Sequence, residues 1–235
     1  MDSLYWANLN SNIKHETTKK QYYSRYLWRL VYKIKKVCLA SDKHVSDVSA
    51  YVKAKQEDAQ RWADRAFNTH RLQEWSEVDA ELLDHVRTVM NNFKDTMKFR
   101  CEWNTMQIYA ETEEDLKRVA AVISHDQDIV IINSPIAGTE DALRNGVVYM
   151  NKIDYKYKII LRDGNYDTQT KQSILNQLLQ RDDVKIPSNL YRELGKKYPA
   201  LWGAYFYTND DSIVTILSLI SPGLVGKIHP IDHLQ

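Results

Sequence analysis

Apolar and polar residues alternate from Tyr26 to Lys35. Tyr26, Trp28, Leu30, Tyr32 and Ile34 occupy one set of positions, and Leu27, Arg29, Val31, Lys33 and Lys35 the other. A period of two sends successive side chains to opposite faces of a strand, so the pattern predicts one aromatic, apolar face and one largely cationic face. Tyr, Trp, Val and Ile also suit a pleated surface. The period then lengthens. Val45, Val48, Val52, Ala59, Trp62 and Ala66 recur at helical spacing after Ser41 and Asp42, and Val78, Leu82, Val86, Val89, Phe93 and Met97 do so after the capping-box-like pair Ser76 and Asp79. With residues 69–76 as the loop between them, these stretches predict a helical hairpin covering a sheet.

From Lys98 onward strands and helices alternate. Strands are expected over residues 99–109 and 128–133, the second with four consecutive apolar residues, Ile129 to Ile132, as a buried central strand has. Between them Thr112 and Asp115 open a helix through Ile123. A short Thr139-capped helix and an Asn145-Gly146 turn come next, then a long strand over residues 155–162 and a turn at Asp163-Gly164-Asn165. Helices through Leu178 and Leu194, a strand over 203–208, a helix or further strand over 212–220 and a final edge strand over 225–229 complete the chain. The β-α-β, β-α-β order between residues 98 and 208 is that of a split βαβ, ferredoxin-like unit. The expected class is therefore α+β, with residues 1–97 forming a basic strand and helical hairpin packed on a ferredoxin-like unit of residues 98–235.

Composition narrows the function classes. A hydrophobic fraction of 43% over 235 residues, with 32 Lys and Arg against 31 Asp and Glu, describes a folded core and not a disordered chain. The two cysteines, Cys38 and Cys101, exclude a disulfide scaffold and a Cys-rich zinc module and suit a reducing compartment. The start after Met1 lacks the basic and apolar regions of a secretory signal, and the run Ile213 to Ile220 is far shorter than the roughly 20 residues of a membrane span. A cytoplasmic or virion-associated location is expected. Abundant Lys, Asn, Ile, Tyr and Asp suit an AT-rich, viral genome.

Near-neutrality conceals a basic segment, where Lys14, Lys19, Lys20, Arg25, Arg29, Lys33, Lys35 and Lys36 face the single acid Glu16. Basic and aromatic residues also mix in 149–162 and 185–202, the latter with Tyr191, Arg192, Lys196, Lys197, Tyr198 and Trp202. Phosphates need cations and unstacked bases need flat partners, so this mixture fits a single-stranded nucleic acid. The opposing reading is that alternation puts most of the rings in the core and leaves the cations as a solvated outer surface. If the first two segments are neighbouring strands, Arg29, Lys33, Lys35, Lys156, Lys158 and Arg162 share a sheet face.

Other chemistry is weakly signalled. His229 and His233 have a zinc-compatible spacing only on a helix, which Pro230 opposes, so a frayed tail is expected. Asp163, Asn165 and Asp167 begin like a calcium loop but lack its later glycine and glutamate, and a turn is expected. Asp210 and Asp211, with Asp163 as partner, have the types needed for metal-dependent phosphoryl transfer but serve equally as helix caps. Cys38 sits in an apolar context that suits an inert thiol. No phosphate-binding glycine loop or nucleophile elbow occurs.

The leading expectation is a non-enzymatic nucleic-acid-binding or assembly factor without sequence specificity, with no cofactor or metal. Arg25, Arg29, Lys33, Lys35, Lys156, Lys158 and Arg162 would hold phosphates, and Tyr22, Tyr23 and Trp28 would stack on bases. The alternatives are a structural or protein-interaction subunit, whose aromatic residues anchor a partner, and a metal-dependent phosphoryl-transfer enzyme.

Overall fold

A computed structural model of the chain describes residues 1–66, 70–123, 128–150 and 153–233. The fold is mixed α+β and divides into two compact units, Met1–Glu140 and Asp141–Gln235. Among the described residues, no helix is long and apolar enough to cross a membrane.

In the first unit the helices are α1 (Ser3–Leu9), α2 (Cys38–Ser41), α3 (Val48–Ala66), α4 (His70–Ser76), α5 (Ala80–Phe93) and α6 (Glu113–Ile123). Its strands are β1 (Lys14–Thr18), β2 (Trp28–Lys33), β3 (Lys98–Glu102), β4 (Thr105–Ala110) and β5 (Ile129–Pro135), in the spatial order β1-β5-β2-β4-β3. Among the described residues of this unit, only β1 and β5 run parallel. The alternating segment thus becomes the middle strand, bonded to β5 on one side and β4 on the other. Leu27 and Val31 on its expected cationic face are buried, as are Trp28, Leu30 and Tyr32 on the other. Both faces are covered, as in the interior strands of a sheet packed on two sides. Residues after 98 therefore share a sheet with the N-terminal strand, and the compact boundary falls after Glu140 rather than at 97.

Several local expectations are corrected. The stretch 99–109 is a hairpin of β3 and β4 turning at Trp103, whose φ of 47° lies in the left-handed region with no glycine to relieve it. Residues 70–76 of the expected loop form α4, while residue 69 lies outside the described residues. The cap of α5 is Asp79, which accepts from the Leu82 amide at 2.9 Å. The Thr112–Asp115 cap forms as expected, with Asp115 N donating to Thr112 Oγ1 at 3.2 Å and Thr112 Oγ1 donating to the Asp115 carboxylate at 2.8 Å. One cation fastens α2 to α5. The Arg87 guanidinium donates to the carbonyls of Leu39, Ala40, Asp42, Val45 and Ser46, closing the orphan end of α2 and the loop after it.

The second unit contains α7 (Glu140–Arg144), β6 (Val148–Tyr149), β7 (Tyr157–Leu161), β8 (Gly164–Asn165), α8 (Thr168–Leu179), β9 (Val184–Lys185), α9 (Ser188–Gly195), β10 (Ala200–Leu201), β11 (Tyr205–Thr208), α10 (Ile213–Ile220) and β12 (Val225–Asp232). Its main sheet has the order β6-β12-β7-β11-β9, antiparallel throughout except for β6 with β12, and β8 pairs separately with β10. The expected edge strand over 225–229 is bonded to β7 alone, and β12 gains a second neighbour, β6, only at Ile231 and Asp232. Asp167 caps α8 by accepting from the Thr170 amide at 2.6 Å, which removes it from any calcium loop. Ile159, Leu161 and Phe206 on one sheet face meet Ile174 and Leu178 of α8, Leu190 and Leu194 of α9, and Ile213 and Leu217 of α10 in a single core. Each such side chain contributes on the order of 1.5–3 kcal/mol by leaving water.

Inside this core Lys171 is 1% exposed. Its ammonium donates to the carbonyls of Glu193 (3.2 Å), Tyr198 (2.6 Å) and Ala200 (3.3 Å), so each of its three protons has an acceptor. Burial lowers its pKa, with the Glu193 carboxylate opposing that shift. The lysine thereby ties the end of α9 to the turn that leads into β10. Lys171→Met keeps the length of the side chain but strands three carbonyls, and chemical denaturation should show a loss of about 2–4 kcal/mol. A change within about 0.5 kcal/mol would contradict this role for the ammonium.

Candidate functional site

In the first unit the expected phosphate-binding cations are mostly paired with their own neighbours. Arg25 pairs with Glu111. Arg29 donates from Nε to Asn133 Oδ1 at 2.8 Å and lies 3.8 Å from Glu16, both on adjoining parts of the sheet. Lys35 meets Glu77 at 2.6 Å and the Gln73 carbonyl at 3.3 Å. Lys33 is exposed at the end of β2. Trp28 is buried, which removes it as a stacking group. Tyr22 packs on Tyr109 with ring centroids 5.2 Å apart and lies under the Arg29 guanidinium at 5.5 Å. Tyr23 is half exposed, with its edge toward Tyr109 and Lys98 over its ring. Lys156, Lys158 and Arg162 belong to the other unit and its own sheet, so the single shared strand face expected from the sequence does not form.

A different set of residues comes together in the second unit. Strand register places His229, Lys158, Tyr207 and Lys185 directly beside one another across β12, β7, β11 and β9, and places Lys227, Ile160 and Tyr205 beside one another two residues along. Directly paired residues in an antiparallel sheet point to the same side. Because Ile159 and Phe206 fill the core beneath the helices, these two rows occupy the opposite, outer face. Lys158 Nζ lies 4.2 Å from the Tyr205 ring centroid, well within cation–π range. Tyr205 meets Tyr207 edge-on at 5.5 Å, and Tyr155 lies 6.3 Å from Tyr207. Burial, with Tyr205 adding to it, pushes the Tyr207 hydroxyl up to about 12, so it stays a neutral donor through the physiological range. Tyr205 is half-buried and Lys185 exposed.

The outward positions of β7, β9 and β11 and of residues 227–231 in β12 carry Lys158, Lys185, Lys227 and His229 and no carboxylate. His229 donates from Nδ1 to the Gly146 carbonyl at 2.8 Å, and His233 from Nδ1 to the Met150 carbonyl at 3.1 Å. The two histidines thus hold adjoining backbone and do not converge on a metal, and the tail expected to fray is ordered through Asp232. Lys156 is exposed beside β7, and its amide donates to Asn209 Oδ1 at 3.0 Å. Arg162 is exposed at the far end of β7, its guanidinium lying against Gly223. The sequence marks Lys156, Lys158 and Arg162 from composition. Lys185, Lys227 and the outward Tyr205 and Tyr207 were missed, because their common face depends on pairing between segments distant in the chain.

The acidic candidates are separated. Asp163 accepts from the Gly203 amide at 2.7 Å before β11, whereas Asp210 follows β11 at its other end. The intervening strand alone spans roughly 10 Å, so the two do not share a metal. Among the described residues no group of His, Cys, Asp and Glu is arranged to hold one. Asp210 accepts from Ser212 N at 2.9 Å and from Arg181 Nη2 at 2.7 Å, and Arg181 also bridges Asp183 at 2.9 Å. Cys38 offers its thiol to the Lys36 carbonyl at 3.8 Å, and burial pushes the Cys101 thiol up to about 11, so the latter is no thiolate nucleophile at neutral pH.

Comparison with protein-family models, with curated proteins and with solved structures finds no match to this chain.

The Asp210 network has a definite pH signature. Hydrogen bonds from Ser212, followed by that from Arg181, hold the carboxyl at about 2 instead of 3.8. A carboxyl depressed by folding stabilises fully above its unfolded value and loses that contribution as the pH falls through its folded value. Asp210→Asn should therefore lower the Tm at neutral pH, and the difference from the unmodified protein should close as the pH falls from 3.8 toward about 2. A difference that is constant across that window would show that the charge is not responsible.

Proposed function

We propose that the protein is a non-enzymatic factor that binds single-stranded nucleic acid without sequence specificity, through the outer face of the β12-β7-β11-β9 sheet. The observation that carries the reading is the row Lys158, Tyr207 and Lys185 on one sheet face, with Tyr205 stacked under the Lys158 ammonium. Cations spaced along a sheet neutralise a phosphate backbone, and the half-buried ring of Tyr205 between them offers a platform to bases of any identity, while Tyr207, only 5% exposed, supports that ring edge-on. Lys156 and Arg162 extend the cationic surface along β7.

We also place the ferredoxin-like arrangement here, in residues 157–232, instead of from residue 98. The run β7–α8–β9 followed by β11–α10–β12, with spatial order β12-β7-β11-β9 and the helices on one face, supports a split βαβ unit in which α9 is inserted between its halves. Sheets of this kind offer an uncovered face to unstacked bases in RNA-recognition modules, which is an analogy of architecture alone.

Fluorescence anisotropy with a labelled single strand tests the reading. Affinity should fall about tenfold or more between about 50 mM and about 200 mM salt, and Lys158→Ala and Lys185→Ala should each flatten the logarithmic salt slope by about 0.7. Arg25→Ala, which removes a cation paired with Glu111, should leave the slope unchanged. Absence of salt-sensitive binding, or equal loss in all three variants, would overturn the assignment and favour the reading in which exposed aromatic residues such as Trp103 anchor a protein partner.

A further inference from the structure

The first unit contains a concavity that the proposed function does not use. Tyr51, Lys55, Asp58 and Trp62 follow one another at four-, three- and four-residue intervals, which puts them on one face of α3, where Glu74 and Trp75 of α4 face them. With Ala59 these residues bound a cavity of about 380 Å3, within the range that small ligands occupy. Gln56 on the same helix donates to the carbonyls of Trp75 at 3.1 Å and Val78 at 3.0 Å, so the second wall is fastened to the first by hydrogen bonds at the end of α4.

Three of the walls are aromatic, and lysine ammonium groups already settle on Tyr51 and Trp75. Lys55 Nζ lies 5.5 Å from the Tyr51 ring centroid, and Lys36 Nζ lies 5.1 Å from that of Trp75 and 5.9 Å from that of Trp103. Lys36 is paired with Glu74 and is not one of the residues that line the cavity, whereas Trp75 is. Tyr51 and Trp75 meet at 64° with centroids 6.5 Å apart, forming a corner and not a stack. Asp58 lies at the same wall, bridged to Arg61 at 2.6 Å.

Ring faces present negative charge without accepting strong hydrogen bonds. They suit a cation that has shed its hydration readily and has no N–H groups to satisfy, whereas metal ions require several oxygen ligands. We propose that this cavity binds a quaternary ammonium group, of the choline or trimethyl-lysine type, held against Tyr51, Trp62 and Trp75 and beside Asp58. The ligand takes the place over Tyr51 that Lys55 now fills, and Lys55 swings outward as it enters.

NMR titration of the full chain, following the indole N–H signals of Trp62 and Trp75, tests this with choline and with 3,3-dimethylbutan-1-ol, its uncharged isostere, at constant ionic strength. Choline should shift both signals and bind about tenfold or more tightly than the neutral alcohol. Lys55→Gln removes the competing cation and should tighten choline binding about threefold or more, whereas Asp58→Asn and Trp62→Leu should weaken it about fivefold or more. Trp62 is more than half exposed, so its replacement leaves the fold intact and keeps the test decisive. Equal binding of alcohol and amine, or weaker binding in Lys55→Gln, would overturn the proposal. The titration contains no polyanion, so its outcome is independent of nucleic-acid binding.

Discussion

The register of β11 between β7 and β9 is the constraint on which the second unit depends. It sends Ile159 and Phe206 down onto α8, α9 and α10 and turns Lys158, Tyr205, Tyr207 and Lys185 to the other side. A slip of one residue would exchange the two sets, burying lysine against leucine and exposing phenylalanine. The hydrophobic core therefore fixes the electrostatic face as a consequence of its own packing, and no further interaction is needed to gather the cations. Gly226 contributes to the same alignment. It lies where β12 shifts register between Val225 and Lys227, and a side chain there would stand 3.3 Å from the Ile160 carbonyl oxygen.

Cations elsewhere serve the fold itself. Arg87 gathers five carbonyls around α2, Lys171 gathers three around the end of α9, and Arg29 is taken up by Asn133 and Glu16 beside it in the sheet. Charge density along a sequence is thus a poor measure of charge available at a surface. The most basic stretch, Lys14 to Lys36, passes through the interior strand of its sheet, where side chains from β5 and β1 and from the loop after β4 answer its charges. The less conspicuous lysines of β7, β9 and β12 share one outer face with Tyr205.

Elements governed by short-range chemistry were legible. The reciprocal Thr112–Asp115 cap, the Asn145-Gly146 turn with Gly146 at a φ of 81°, the helix ending near Leu178 and the apolar run of β5 all follow from residues within a few positions of one another. The hairpin at Trp103 was not legible, because Asn104 is the one turn-favouring residue between β3 and β4 and the left-handed position falls on a tryptophan, which neighbouring backbone holds there. Cys38 N donates to its carbonyl, and Asn104 accepts from Ile34 N and Lys36 N, binding the tip to the chain beyond β2. Likewise β1 carries no alternating apolar pattern and exists through its parallel pairing with β5. For the candidate site, residue types were visible in the sequence but their shared face was not, since it is a property of long-range pairing.

Full enclosure of Lys171 has a practical corollary. Amine-reactive reagents reach the exposed Lys185 and Lys197 without any opening of the chain, whereas Lys171 reacts only when α9 and the turn before β10 lift away. The ratio of label at these sites turns a single buried side chain into a built-in gauge of how often this part of the molecule breathes.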